Sequence, residues 1–250
     1  TIIGGADKTV SWKLLWWNYS KTYLASNELV VNGTAAADVF NFSGSGSAFK
    51  VFKDNTNNHV IDACQFNNGA IKVNGGASGD QVDLRAFSGI LTFNGEAGND
   101  TLVYKDGFSG VGSTYNGGAD RDGLAVDAKD AGSTLILSDS ALTNGNSTLI
   151  YLSSVEDFNF VGAAGDDDVD ASQFSGRVIF RGRGGENDFK AGKGDNDVIH
   201  ELAYGGHDTI TGNTVSGQTS LEIVGDGEAV SLAFAGDANT FKVTHNSVEI

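Results

Sequence analysis

Short apolar runs alternate with polar residues along most of the chain, and none of the runs is long. Leu91 and Phe93 alternate with Ile90, Thr92 and Asn94, and Val178 and Phe180 alternate with Ile179 and Arg181. A period of two is the signature of a strand with one buried face. Val, Ile, Phe and Leu fill these runs, as pleated, half-buried surfaces favour. Beyond about residue 26 no segment carries a long helical period. The pattern predicts an all-β chain.

A recurring motif punctuates the strands: a glycine, an acid or amide five residues later, and an apolar residue two beyond that. Gly33, Asp38 and Phe40 spell it first. It returns at Gly75, Asp80 and Val82, at Gly95, Asp100 and Leu102, and at Gly117, Asp122 and Leu124. Further copies are Gly162, Asp167 and Val169, then Gly182, Asn187 and Phe189, then Gly192, Asp197 and Ile199. A weaker copy ends in Asp208 and Ile210. Asp80 and Asp100 are 20 residues apart, Asp100 and Asp122 are 22, and Asp167 and Asn187 are 20. The text between motifs repeats too: QVDLRAFSGILTF and DVDASQFSGRVIF share an Asp, a Phe, a glycine and a closing strand.

A unit of about 20 residues cannot bury its own apolar face, but stacked units bury a continuous core and pair each strand above and below. The expected fold is a parallel β-solenoid (β-helix) of roughly ten rungs, with an aromatic-rich N-terminal insertion or cap. Residues 1–28 read as a worn repeat (IIGGADKTV) plus that insertion, and 29–250 as one solenoid belonging to a longer chain. Between Asp122 and Asp167 the period breaks, and the text reads as two rungs without the glycine corner, with a loop at TNGNS. SWKLLWWNYSKTYLAS holds all three tryptophans. Trp12, Leu15, Trp16, Tyr19 and Tyr23 share a helical face, while Val10, Trp12, Leu14 and Trp16 alternate as a strand. Periodicity leaves both open, and the segment reads as a cap or as an adhesive or subunit-contact patch.

Composition sharpens this picture. Glycine is 35 of 250 residues and proline is absent. Proline would remove ladder hydrogen bonds, and glycine is expected to supply positive φ at sharp corners. The net charge of −16 argues against nucleic acid and anionic membrane surfaces. No apolar run is long enough for a transmembrane helix. The lone Cys64 permits no internal disulfide and reads as a small buried residue.

GEAGNDTLV and GKGDNDVIH resemble the glycine- and aspartate-rich nonapeptide of the RTX (repeats-in-toxin) family, and LSSVEDFNFVGAAGDDDVDAS is similar to degenerate forms of it in large bacterial surface proteins. The resemblance implies export, and Ca²⁺ held between successive coils by Asp80, Asp100, Asp122, Asp167, Asp197 and Asp208. It is incomplete: most rungs carry one acidic corner, and the fourth motif position holds Ala36, Ser78, Asp120, Gly165, Gly185 or Asp195. Calcium needs six to eight oxygens. Asp100 with Asp80 or Asp122, helped by Asn99 and Asp120, is the best candidate shell, followed by Asp167 with Asp166 and Asp197 with Asp195. The alternative is that each acid bonds its own turn.

These readings lead to a non-catalytic structural protein of the bacterial exterior: a surface-layer, filament or adhesin module that self-associates and is stiffened by calcium. A second reading is a polysaccharide lyase or epimerase, or its accessory module, with Arg177, Arg181 and Arg183 gripping an acidic sugar or neutralised by Glu186 and Asp188. A third is a carbohydrate-binding adhesin that meets surface polysaccharide through the aromatic segment. The histidines form no tight motif, and no hydrolase, zinc or phosphate-loop motif is present.

Overall fold

The computed structural model describes residues 8–14, 17–23, 29–54, 59–64, 70–213, 217–225, 232–236, 241–245 and 248–249. An aromatic hairpin comes first, β1 (Lys8–Leu14) and β2 (Trp17–Tyr23), followed by β3 (Leu29–Asn32), β4 (Val39–Ser45), β5 (Ala48–Lys53) and β6 (His59–Cys64). Next come β7 (Ile71–Gly76), β8 (Gln81–Phe87), β9 (Thr92–Ala97), β10 (Thr101–Lys105), β11 (Ser113–Ala119) and β12 (Gly123–Asp127). The middle of the chain holds β13 (Thr134–Ser138), β14 (Ala141–Thr143), β15 (Thr148–Ser153) and β16 (Asp157–Val161). Then follow β17 (Asp168–Gln173), β18 (Arg177–Arg181), β19 (Glu186–Lys190), β20 (Asn196–Glu201), β21 (His207–Thr211) and β22 (Thr219–Val224). The last strands are β23 (Leu232–Gly236), β24 (Phe241–His245) and β25 (Val248–Glu249).

Two ten-stranded sheets dominate. The first runs β3-β7-β9-β11-β15-β14-β13-β17-β19-β21, and the second β6-β5-β4-β8-β10-β12-β16-β18-β20-β22. From β7 to β12 consecutive strands alternate between the sheets, and each pairs in parallel with the strand one repeat away. The sequence period of about 20 residues is therefore the distance between laterally bonded strands, Val82 opposite Leu102 and Phe93 opposite Tyr115.

Register turns the alternation into columns. In the second sheet Phe40, Val82, Leu102, Leu124, Phe158 and Val178 are successive partners, all at most 1% exposed. Such aligned apolar side chains remove surface from water at about 25 cal/mol per Å². Rings stack along the columns: Phe93 on Tyr115 at 5.1 Å, and Phe160 on Phe180 at 5.4 Å. The inward residues of both sheets form one hydrophobic cluster.

Antiparallel pairing intrudes twice. β4, β5 and β6 form a meander at the outer end of the second sheet, and β13, β14 and β15 form one inside the first. The irregular stretch after Asp122 is thus not two rungs: β13, β14 and β15 form a meander within the first sheet, their short strands joined by tight turns that reverse the chain, before β16 returns to the second. The loop expected at TNGNS is one of these turns: the Asn144 side chain accepts hydrogen bonds from the N–H groups of Asn146 and Ser147. For the same reason eight parallel two-strand repeats span the described residues, where the spacing suggested roughly ten.

The tryptophan-rich segment is a hairpin and not a helix, with Trp12 opposite Tyr19. Leu15 and Trp16 lie outside the described residues, as does most of the worn repeat before Lys8. β2 lies beside β3, the outermost strand of the first sheet. β23, β24 and β25 form a separate antiparallel sheet.

Candidate functional site: two columns of buried acids

Asp38, Asp80, Asp100 and Asp122 each stand immediately before a strand of the second sheet, and all are at most 2% exposed. They are hydrogen-bonded in series. Asp38 N–H donates to Asp80 Oδ1 at 2.7 Å, Asp80 N–H to Asp100 Oδ1 at 2.6 Å, and Asp100 N–H to Asp122 Oδ1 at 2.8 Å. Asp122 N–H donates to Glu156 Oε2 at 2.9 Å. A backbone donor buried at the start of a strand needs a partner; here the acid one repeat later supplies it. At the near end Lys53, itself buried, forms a salt bridge with Asp38 Oδ1, and Thr34 N–H donates to Asp38 Oδ2 at 2.6 Å.

The motif glycines have a different role from the expected one. Gly33, Gly75, Gly95 and Gly117 do not have positive φ; that conformation falls to Gly76, Gly98 and Gly118, and to Ser78, Glu96 and Asp120. A Cβ on Gly95 would lie 2.2 Å from Asp100 Oδ2 and 2.3 Å from the Gly117 carbonyl oxygen. On Gly75 the corresponding distances, to Asp80 Oδ2 and Gly95 O, are 2.5 and 2.6 Å. The five-residue spacing places the second carboxyl oxygen against a bare Cα, where any side chain would collide with it and with the next repeat.

After the central meander the acids change corner. Ser133 N–H donates to Asp167 Oδ1 at 2.7 Å, and Asp167 N–H to Asn187 Oδ1 at 2.9 Å. Asn187 Nδ2 donates to Asp208 Oδ1 at 2.7 Å. These residues begin strands of the first sheet. Between Asp122 and Asp167 the chain traverses the second sheet, the first and the second again, an odd number of passes, so the motif resumes half a turn out of phase. The Phe-Ser-Gly corners switch with it: Phe87, Ser88 and Gly89 lead from the second sheet to the first, and Phe174, Ser175 and Gly176 lead back.

This shift displaces one predicted ligand. Asp197 lies on the outer side of β20, bonded to Arg177 Nε at 3.0 Å and Ser220 Oγ at 2.6 Å. Its inward neighbour Asn196 takes the corner position: Oδ1 accepts from Gly192 N–H at 2.8 Å, and Nδ2 donates to the carbonyls of Gly192 and Gly194 at 3.1 and 2.7 Å. Asn99, Asp120, Asp166 and Asp195 are exposed turn residues. Each accepts one backbone N–H from a neighbouring repeat, those of Arg121, Gly98, Glu186 and Gln218 respectively. Arg177 pairs with Asp197, Arg181 with Asn159, and Arg183 with Glu201, while Arg183 also lies 5.1 Å from the Tyr204 ring. Glu186 and Asp188 are not among these partners.

His200 was not apparent from the motifs. Its Nδ1 lies 2.6 Å from Asp208 Oδ2, and both side chains are about 4% exposed or less. His200 lies near the end of β20 and Asp208 near the start of β21, and the short connection between these consecutive strands brings them together. The His200 Nε2 atom is buried without a hydrogen-bond partner.

Burial dominates the electrostatics. It pushes the Asp80 carboxyl up to about 7, and those of Asp122 and Asp167 up to about 6, with neighbouring acids adding to the effect. Asp100 is raised for the same reason, with Asp120 and Glu96 as the adjacent charges. Asp80, Asp100 and Asp122 each keep one buried oxygen, Oδ2, without a donor. Calcium needs six to eight oxygens; here each carboxyl of the first column has one oxygen committed to a backbone N–H. Among the described residues no group of three or more His, Cys, Asp or Glu side chains is placed to hold a metal. No protein-family model and no curated protein matches the chain.

Proposed function

We propose that the chain is a β-solenoid module, a non-catalytic structural element of an extracellular, cell-surface protein. One observation carries this reading: both long sheets pair repeat to repeat around a shared core, and the buried acids are spent on bonds between neighbouring repeats. An acid that accepts a buried N–H from the repeat before it ties the two repeats together. The RTX-like motif and the charge of −16 support an exported, soluble context. Eight to ten strands at about 4.8 Å give a stiff spacer on the order of 40–50 Å long. The outermost strands β6, β21 and β22 offer edges for assembly with further copies. Small-angle scattering and electron microscopy of the purified chain test this reading. An elongated particle that associates end to end or side by side is expected; a globular particle that cleaves acidic polysaccharide would overturn it.

A further inference from the structure

We infer that the buried columns are metal-independent hydrogen-bond ladders in which aspartate and asparagine are interchangeable. The second column supplies the key comparison. Asn187 stands where Asp80, Asp100 and Asp122 stand in the first, and its Oδ1 accepts the preceding N–H in the same way. Its Nδ2 then donates to the Gly184 carbonyl at 3.3 Å as well as to Asp208. Asn196 repeats the arrangement at another corner, accepting from one N–H and donating to two turn carbonyls. An amide satisfies the position fully, with one atom accepting and one donating.

The acids occupy the same geometry. Asp100 Oδ1 accepts an N–H, while Oδ2 lies toward the Gly117 carbonyl oxygen, the two converging on the point where a Gly95 Cβ would sit. Asp122 Oδ2 likewise converges with the Ser154 carbonyl oxygen at Gly117. A buried carboxyl oxygen without a donor is best satisfied when that atom carries a hydrogen of its own, as in a neutral carboxyl or an amide. The raised proton affinity of these acids agrees. A calcium ion would have only the Oδ2 atoms and turn carbonyls to draw on, since each Oδ1 accepts an N–H, and the neutral Asn187 contributes no charge to the shell that such an ion needs.

Asp80 faces Asp38, Asp100 and the Lys53 ammonium; Asp100 faces Asp80, Asp120 and Glu96; Asp122 faces Asp100, Asp120 and Glu156. Lys53 is the one cation among them, and it is bound to Asp38.

The test uses the full chain. Thermal unfolding of the unaltered protein is recorded with calcium chloride in excess and with a chelator. The variants D100N and D100A are then compared under both conditions. The ladder predicts coinciding midpoints with and without calcium, D100N close to the parent, and D100A lower by about 5 °C or more because the Asp80 N–H loses its acceptor. A midpoint for the unaltered chain that rises with calcium and falls with chelator would overturn the inference, whether or not the variants fold. So would D100N destabilised as severely as D100A.

Discussion

The two acid columns perform one task with different chemistry. In the first, four aspartates and a glutamate follow one another, with a buried lysine at one end. In the second, Ser133, Asp167, Asn187 and Asp208 follow one another, and the acid at the far end meets a histidine. The common requirement is an acceptor for a buried N–H, fitted beside a glycine Cα. Negative charge is not part of that requirement, and the lesson is that a conspicuous run of aspartates can mark a packing rule.

The largest expected effect is steric. Gly95→Ala places a methyl group 2.2 Å from Asp100 Oδ2 and 2.3 Å from the Gly117 carbonyl. Overpacking against backbone that cannot move should cost about 4 kcal/mol or prevent folding. Gly145→Ala is the contrast: φ is +81°, but nothing lies within 4 Å, so urea denaturation should report a loss of only about 1 kcal/mol. Equal losses at the two sites would break the packing rule.

Next is the lysine that distinguishes the first column. Lys53→Met leaves the Asp38 carboxylate buried beside Asp80 without its cation, and should cost about 3 kcal/mol at neutral pH. Adding Asp38→Asn should recover most of this. A double variant no better than the single one would show that Lys53 acts through packing alone.

A gentler probe is pH. The folded-state pKa of Asp80 is about 7 and those of Asp122 and Asp167 about 6, all above the unfolded value of 3.8. Their contribution to stability is therefore fully present below about 3.8 and is lost as pH rises through 6 to 7. Asp170 and Asp197, with lowered values, behave oppositely, but only below 3.8. Urea midpoints should fall between pH 5 and pH 8, and the pair Asp80→Asn with Asp122→Asn should flatten the trend. Midpoints that rise over that interval would contradict the assignment.

The smallest effect concerns the outer face, where Asn74 donates to Asn32 at 2.8 Å and accepts from Asn94 at 2.9 Å. Asn74→Ala should cost about 1 kcal/mol by chemical denaturation. A larger loss would mean that this half-exposed line rivals the buried one.

Much of this architecture was legible in the residues. The period, the alternation that buries Phe93 and Val178, and the five-residue spacing from Gly95 to Asp100 all reflect local geometry that sequence carries directly. The half-turn phase change was not, because it depends on how many times the chain crosses between sheets from Asp122 to Asp167. That is why Asp197 drew attention while its inward neighbour Asn196 held the position. Lys53 and His200 were equally hidden: Lys53 meets Asp38 across the β4–β5 hairpin and His200 meets Asp208 across the connection from β20 to β21, neither at a spacing that the motif repeats.

The change of corner also bears on how long such a chain can grow. Each further aspartate in an unbroken line would add one more titratable neighbour to those already crowding Asp80 and Asp100. By moving the motif to the opposite edge, and by mixing serine and asparagine into the new line, the protein divides an accumulating electrostatic burden into two short runs that do not compound one another.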